Sequence, residues 1–223
     1  MPALCAIFHA RHPVPGMLTR MYSRALAATT LAYVVLHHLG LLPSGLGAGP
    51  DGTRWADWLD LGVPWLVLVP AAVTMWAGRA AVRSWVVFGV GVVAYTSGHG
   101  IHLAANSIGN QDPGQTAHLW DEVVGHLVWF VGVAFVLAAL ALTMIGRPRP
   151  HAVGYVLAMG AGLTWASNAI GGGTLLFSLA VAIAAAGFGW MRRRELGVVL
   201  LAGYLPAVLV VGTELAIQAT RRG

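Results

Sequence analysis

Long apolar runs alternate with short polar punctuation along this chain. A run of about 18 or more apolar residues is long enough to cross a bilayer core as a helix. The pattern predicts seven such helices, at about 23–43, 61–78, 84–106, 118–144, 153–171, 174–190 and 197–218. Pro43 and the glycine-rich stretch 45–52 end the first, Arg147-Pro148-Arg149-Pro150 separates the fourth from the fifth, and Gly171-Gly172-Gly173 turns the fifth into the sixth. The expected fold is all-α: a seven-transmembrane helix bundle forming a single integral membrane domain over 1–223. Residues 25–42 also have the length of a signal-peptide core, but His37 and His38 within them and the lack of a small-x-small cleavage site favour a retained helix.

Composition agrees with this pattern. Hydrophobic residues make up 57% and charged residues 9%, with a mean hydropathy of +0.73. An ordinary soluble domain is about 25% charged, so soluble, disordered, collagenous and coiled-coil classes are excluded. The thirteen basic residues are all arginine. The absence of lysine removes a retinal pigment, which needs one for its Schiff base. The arginines sit in short loops, so they read as topology signals and not as a nucleic-acid surface. With the N-terminus inside, ten (Arg11, Arg20, Arg24, Arg79, Arg83, Arg147, Arg149 and Arg192 to Arg194) are cytoplasmic, and Arg54, Arg221 and Arg222 are not. That bias predicts a cytoplasmic N-terminus and an extracytoplasmic C-terminus. Cys5 is the only cysteine, so there is no intrachain disulfide or thiolate zinc site. The lysine-free, Ala/Gly/Val/Arg-rich composition suggests a bacterial inner membrane. Segment 53–60, with Trp55, Asp57, Trp58 and Asp60, reads as a short interfacial helix of structural purpose. His9, His12 and His151 read as solvated loop residues.

Ionisable groups within spans are costly and mark functional interiors. Here they are His37 and His38 on the first helix, His99, His102 and Asn106 on the third, His118, Asp121, Glu122 and His126 on the fourth, Asn168 on the fifth, and Glu214 with Gln218 on the seventh. Under the predicted topology all fall in the outer half of the membrane. Helices two and six carry nothing comparable.

At about 100° per residue, Tyr95, His99, His102 and Asn106 share one stripe. His118, Glu122 and His126 follow an i, i+4, i+8 line, with Asp121 at its flank. The connection 107–117 is short enough to set the third and fourth helices antiparallel and adjacent. Facing stripes of imidazole and carboxylate are how helical bundles build metal sites. The predicted ligands are His99, His102, His126 and His118, and Glu122 or Asp121 is the predicted catalytic base. His37, His38, Asn106, Glu214 and Asn168 are the expected supporting groups, Glu214 by orienting an imidazole and Asn168 as interhelical glue.

Imidazole with carboxylate suits zinc first, with iron or manganese as alternatives. A substrate reaching such a site from the outer leaflet is a membrane lipid or another amphiphilic small molecule, and hydrolysis of its amide or ester bond is the leading reaction. Haem clamped by His37 or His38 with His102 or His126, or a non-haem iron, defines the redox alternative. A metal or proton transporter ranks third, because the inner half lacks polar groups.

The helix count, the cytoplasmic N-terminus, and the residues Ser97, His102 and Asp121 on adjacent helices together resemble the CREST superfamily, which includes alkaline ceramidases and progestin/adipoQ-type receptors. The resemblance covers helices three and four and implies a membrane metal hydrolase. The family's His-x-x-x-His on the last helix is replaced here by Glu214-x-x-x-Gln218.

Overall fold

The computed structural model describes residues 15–38 and 42–222. Its regular structure is helical: α1 Pro15–Leu36, α2 Trp55–Asp60, α3 Val63–Ala77, α4 Val82–Gly109, α5 Gln115–His118, a π-helical segment Leu119–Gly125, α6 His126–Thr143, α7 Ala152–Gly171, α8 Leu175–Met191 and α9 Val198–Arg222. Among the described residues there is no strand, only an isolated bridge between Ala48 and Arg54. Four helical stretches are long and apolar enough to cross a membrane: Trp55–Ala77, Val82–Gly109, Gln115–Thr143 and Val198–Arg221. The chain therefore has the build of a membrane protein. His9 and His12 lie outside the described residues.

The predicted spans from the second to the seventh coincide with observed helices to within four residues. The first does not. α1 begins at Pro15 and ends at Leu36, so His37 and His38 stand just beyond it. Proline at a helix start forfeits only an N–H that would have no partner anyway. At the other end, the His37 ring bonds the carbonyl of Tyr33, one of the last four carbonyls that a helix leaves unsatisfied. The 53–60 segment does form a short helix, α2, closed by a reciprocal cap in which Asp57 accepts from the Arg54 backbone and side chain. It runs into α3 through Leu61 and Gly62, both in the right-handed helical region.

The most extensive packing is between α4 and α6, which run antiparallel. Their glycines interleave at seven-residue spacing. A Cβ added to Gly98 would lie 2.1 Å from the Trp129 backbone nitrogen, and one added to Gly132 would lie 2.1 Å from that of Tyr95. Gly91 meets Val136 and Gly125 meets His102 in the same way, at 2.8 Å. Small residues let helix backbones touch, and in lipid that dispersion contact replaces the missing hydrophobic drive. α7 and α9 repeat the device through Gly162 and Gly203. Between these pairs, Tyr33, Val67, Met75, Phe88, Phe130, Trp165 and Tyr204 form one buried apolar cluster.

The close approach predicts a sharp contrast within one turn of α4. Gly98→Ala must push the helices apart and should cost about 1–3 kcal/mol, read as a lowered Tm in detergent. Gly100, with nothing within 4 Å of its added Cβ, should accept alanine without loss.

Candidate metal centre

The polar residues of α4 and of the segment after α5 meet where the two helices touch. Tyr95, His99 and His102 fall one turn apart on α4, facing α6. Residues 119–125 are π-helical, and the N–H of His126 bonds the carbonyl of Asp121, five residues back. A π turn holds one more residue than an α turn, and such turns concentrate at functional sites. It therefore shifts the line of side chains. Asp121 and His126 share a face, whereas an i, i+4, i+8 line would have put Glu122 there.

One ligand atom from each of His102, Asp121 and His126 lies within 4.8 Å of the others. His102 Nδ1 donates to Asp121 Oδ1 at 2.5 Å. His126 Nδ1 donates to the Glu122 carbonyl at 3.3 Å. With Nδ1 protonated in each neutral ring, Nε2 carries the lone pair. Asp121 keeps its second oxygen. Two imidazoles and a carboxylate are ligand types that could hold a divalent metal. Exposure is graded across the group. The side chain of His99 is 3% exposed, those of His126, Asp121 and His102 are between 10% and 18%, and that of Glu122 is 41%. Glu122 thus marks the mouth, 3.5 Å from His126 Nδ1.

The other expected residues are distributed around this group. His99 donates from Nε2 to the carbonyl of Asp60 at 3.0 Å, and its buried Nδ1 has no partner among the described residues. His37 donates from Nδ1 to Tyr33 and accepts at Nε2 from the Tyr95 hydroxyl at 2.7 Å, so both its nitrogens are engaged and none remains for a haem iron. His38 reaches Thr164 Oγ1 at 3.4 Å. His118 and Ser97 are exposed, and His118 lies outside the three-residue group. Asn106 accepts from Asn110, and Glu214 accepts from Gln218 on its own helix and orients no imidazole. Asn168 lies at the C-terminus of α7, where its carbonyl takes the Gly172 N–H. Gly172 in turn sits against the ring of His126, 2.9 Å from where its Cβ would be.

Two contributors were not expected. Trp129 is the wall on which the imidazoles rest. It stacks on His37, His102 and His126 at ring-centroid distances of 5.4, 5.6 and 5.8 Å and takes His99 edge-on at 5.0 Å. The chain holds nine tryptophans, and a membrane-belt role hides one that faces inward. Its position three residues after His126, on the same helical face, was the available signal. Asp60 is the other. It comes from the short helix that sequence assigned to the interface, and α2 is tied to α4 a second time by Ser107 donating to Asp57 at 3.4 Å. Comparisons with protein-family models, curated proteins and solved structures return no match, so the site is read from its own chemistry.

Trp129→Leu should therefore lower the unfolding free energy by about 3 kcal/mol, as deletion of a buried aromatic does, and broaden the histidine resonances. The same change at exposed Trp120 should leave Tm and spectra as they are.

Proposed function

We propose that this is an integral membrane metalloprotein in which His102, Asp121 and His126 hold a divalent metal, zinc first, and that it hydrolyses an amide or ester of a lipid-like substrate. The observation that carries the reading is the convergence of these three ligands within 4.8 Å. Two histidines and a carboxylate with an open position are a known catalytic zinc set. A zinc bound there supplies Lewis acidity, polarising a carbonyl and acidifying water. The chain's own groups do the rest. Asp121 fixes the His102 tautomer by taking its Nδ1–H. Trp129 fixes ring planes. Glu122, the most exposed carboxylate of the group, is placed to accept a proton from the attacking water. Of the three residues that carry the likeness to the CREST superfamily, His102 and Asp121 are hydrogen-bonded and Ser97 is exposed on α4.

A second reading is an iron-dependent redox protein. The same ligands form the two-histidine, one-carboxylate set of non-haem iron sites, and the Tyr95–His37 hydrogen bond beside Trp129 supplies oxidisable aromatics next to it.

Elemental mass spectrometry of detergent-purified protein separates these readings. About one zinc per chain, lost in His102→Ala/His126→Ala, is expected. Iron in the same ratio would select the second reading, and no metal in either sample would remove both. Glu122→Gln should retain the metal and lose turnover of a lipid amide or ester. Asp121→Asn should weaken metal binding at least tenfold, as loss of a ligand or its hydrogen-bonded support does.

We further propose that α1, α7 and α8, of 22, 20 and 17 residues, also span the bilayer. The N-terminus is then cytoplasmic, and the metal centre opens to the extracytoplasmic side of a bacterial inner membrane. The arginine distribution supports this arrangement. In a Cys5→Ser background, Asp112→Cys should react with an impermeant maleimide on intact cells, and Arg149→Cys only after lysis. The reverse pattern would invert the topology.

A further inference from the structure

At the opposite end of the α4–α6 pair lies a second polar cavity, separate from the imidazole cluster. Arg83 and His102 are nineteen residues apart on α4, or about 28 Å at 1.5 Å per residue. The cavity measures about 370 Å³ and is lined by Arg79, Arg83, Ser84 and Arg147, with backbone from the α3–α4 turn and the end of α6. No carboxylate lines it. Glu195 stands at its edge, where its carboxylate is taken up by the N–H of the lining residue Gly146 and by Arg192.

Three features make this a built site. Arg147 is fixed in place: its Nε donates to the Thr143 carbonyl at 2.7 Å and its guanidinium to the Gly78 carbonyl at 3.1 Å, and it lies 3.7 Å above the Tyr22 ring. Two bonds and a ring face leave its other N–H groups for a ligand. The N-terminus of α4 borders the same cavity through Ala81, Arg83 and Ser84. Ala81 provides no side-chain cap and the first turn carries no acidic residue, so the positive end of the helix is left uncompensated there, although the Ser84 and Trp85 amides return to the Ala81 carbonyl. Ser84, 4% exposed, lines the cavity with a hydroxyl that has no partner among the described residues. Arg79 and Arg83 form no ion pair among the described residues, and Arg79 stands in the left-handed region at φ 52°, where non-glycine residues are uncommon.

We propose that Arg79, Arg83, Arg147, Ser84 and the α4 N-terminus bind a phosphate group. Arginines present paired N–H donors matched to phosphate oxygens. Uncapped helix amides favour anions. Basic pockets between helices at one membrane face accept lipid headgroups. The phosphate therefore belongs either to an anionic phospholipid or to a free phosphate. The site does not depend on the metal reading, since it shares no residue with it.

The test uses delipidated full-length protein in an uncharged detergent. Native mass spectrometry measures retention of phosphatidylglycerol against phosphatidylcholine, and calorimetry measures inorganic phosphate. Phosphatidylglycerol should bind wild type preferentially and bind Arg79→Gln/Arg83→Gln at least tenfold more weakly. Arg20→Gln/Arg24→Gln, which removes two exposed arginines outside the cavity, should change binding less than twofold. Saturable binding of inorganic phosphate alone, lost in the same double variant, would support the site and assign it to free phosphate. Equal loss in both double variants, or no loss in either arm, would overturn the proposal. Should Arg79→Gln/Arg83→Gln fail to fold by circular dichroism, Ser84→Asp decides the matter. It keeps every arginine and places a carboxylate in the cavity, so it should abolish binding.

Discussion

Backbone contact between α4 and α6 is the constraint on which this molecule depends. Four glycines, at 91, 98, 125 and 132, remove every Cβ that would hold the two helices apart. At ordinary helix separations of 8–10 Å, side chains from facing helices fill the gap between them. Here the axes come closer, and side chains beside the contact are forced sideways into one another. That is why His102 and His126 lie with ring centroids 4.4 Å apart, and why one indole, Trp129, can touch four imidazoles. Two of those partners, His37 and the edge-on His99, are held by backbone carbonyls of the α1 terminus and of α2. The glycine seam thus gathers groups from four elements without any one of them bending far.

The second determinant is the π turn at 119–125. Its extra residue per turn decides which of two adjacent carboxylates belongs to the centre. Asp121 turns inward and meets His102, while Glu122 is left at the mouth. One carboxylate is thereby hydrogen-bonded to an imidazole, and the other is left 41% exposed. A regular α-helix with the same sequence would exchange them. The segment's helical continuity, Gln115–Thr143 as one apolar stretch, gives no hint of this.

Much of the architecture was legible from pattern alone. Apolar runs and Gly/Pro punctuation located six of the seven long helices within four residues, because those breaks follow from backbone chemistry. The first was displaced because the helix already includes Pro15, ahead of the apolar run, and ends where the His37 ring takes a carbonyl. The adjacency of the histidine stripes followed from a short connection. Three features escaped. The π turn is invisible to any fixed angular period, so Asp121 was set at the flank of the line. Trp129 was hidden among tryptophans of similar composition and different facing. Asp60 reaches His99 through both its backbone carbonyl, at 3.0 Å, and its carboxylate, at 3.4 Å, but from a short helix that the pattern set apart at the interface. Glu214 and Asn106, by contrast, stand where the pattern put them yet bond to their own helices.

The placement of the two polar regions also bears on transport as a function. An ion or proton path needs groups that can solvate charge through the full depth of the membrane. Here the imidazole centre and the arginine cavity occupy opposite ends of the α4–α6 pair. What separates them is Phe88, Met75, Val136, Ala139 and Leu140, all buried in one apolar cluster. The nearby hydroxyl of Thr74 is returned to the Pro70 carbonyl of its own helix. A charge crossing this layer would lose its hydration and gain nothing in return. The packing that brings the two helices into contact also fills the space between their ends with apolar side chains.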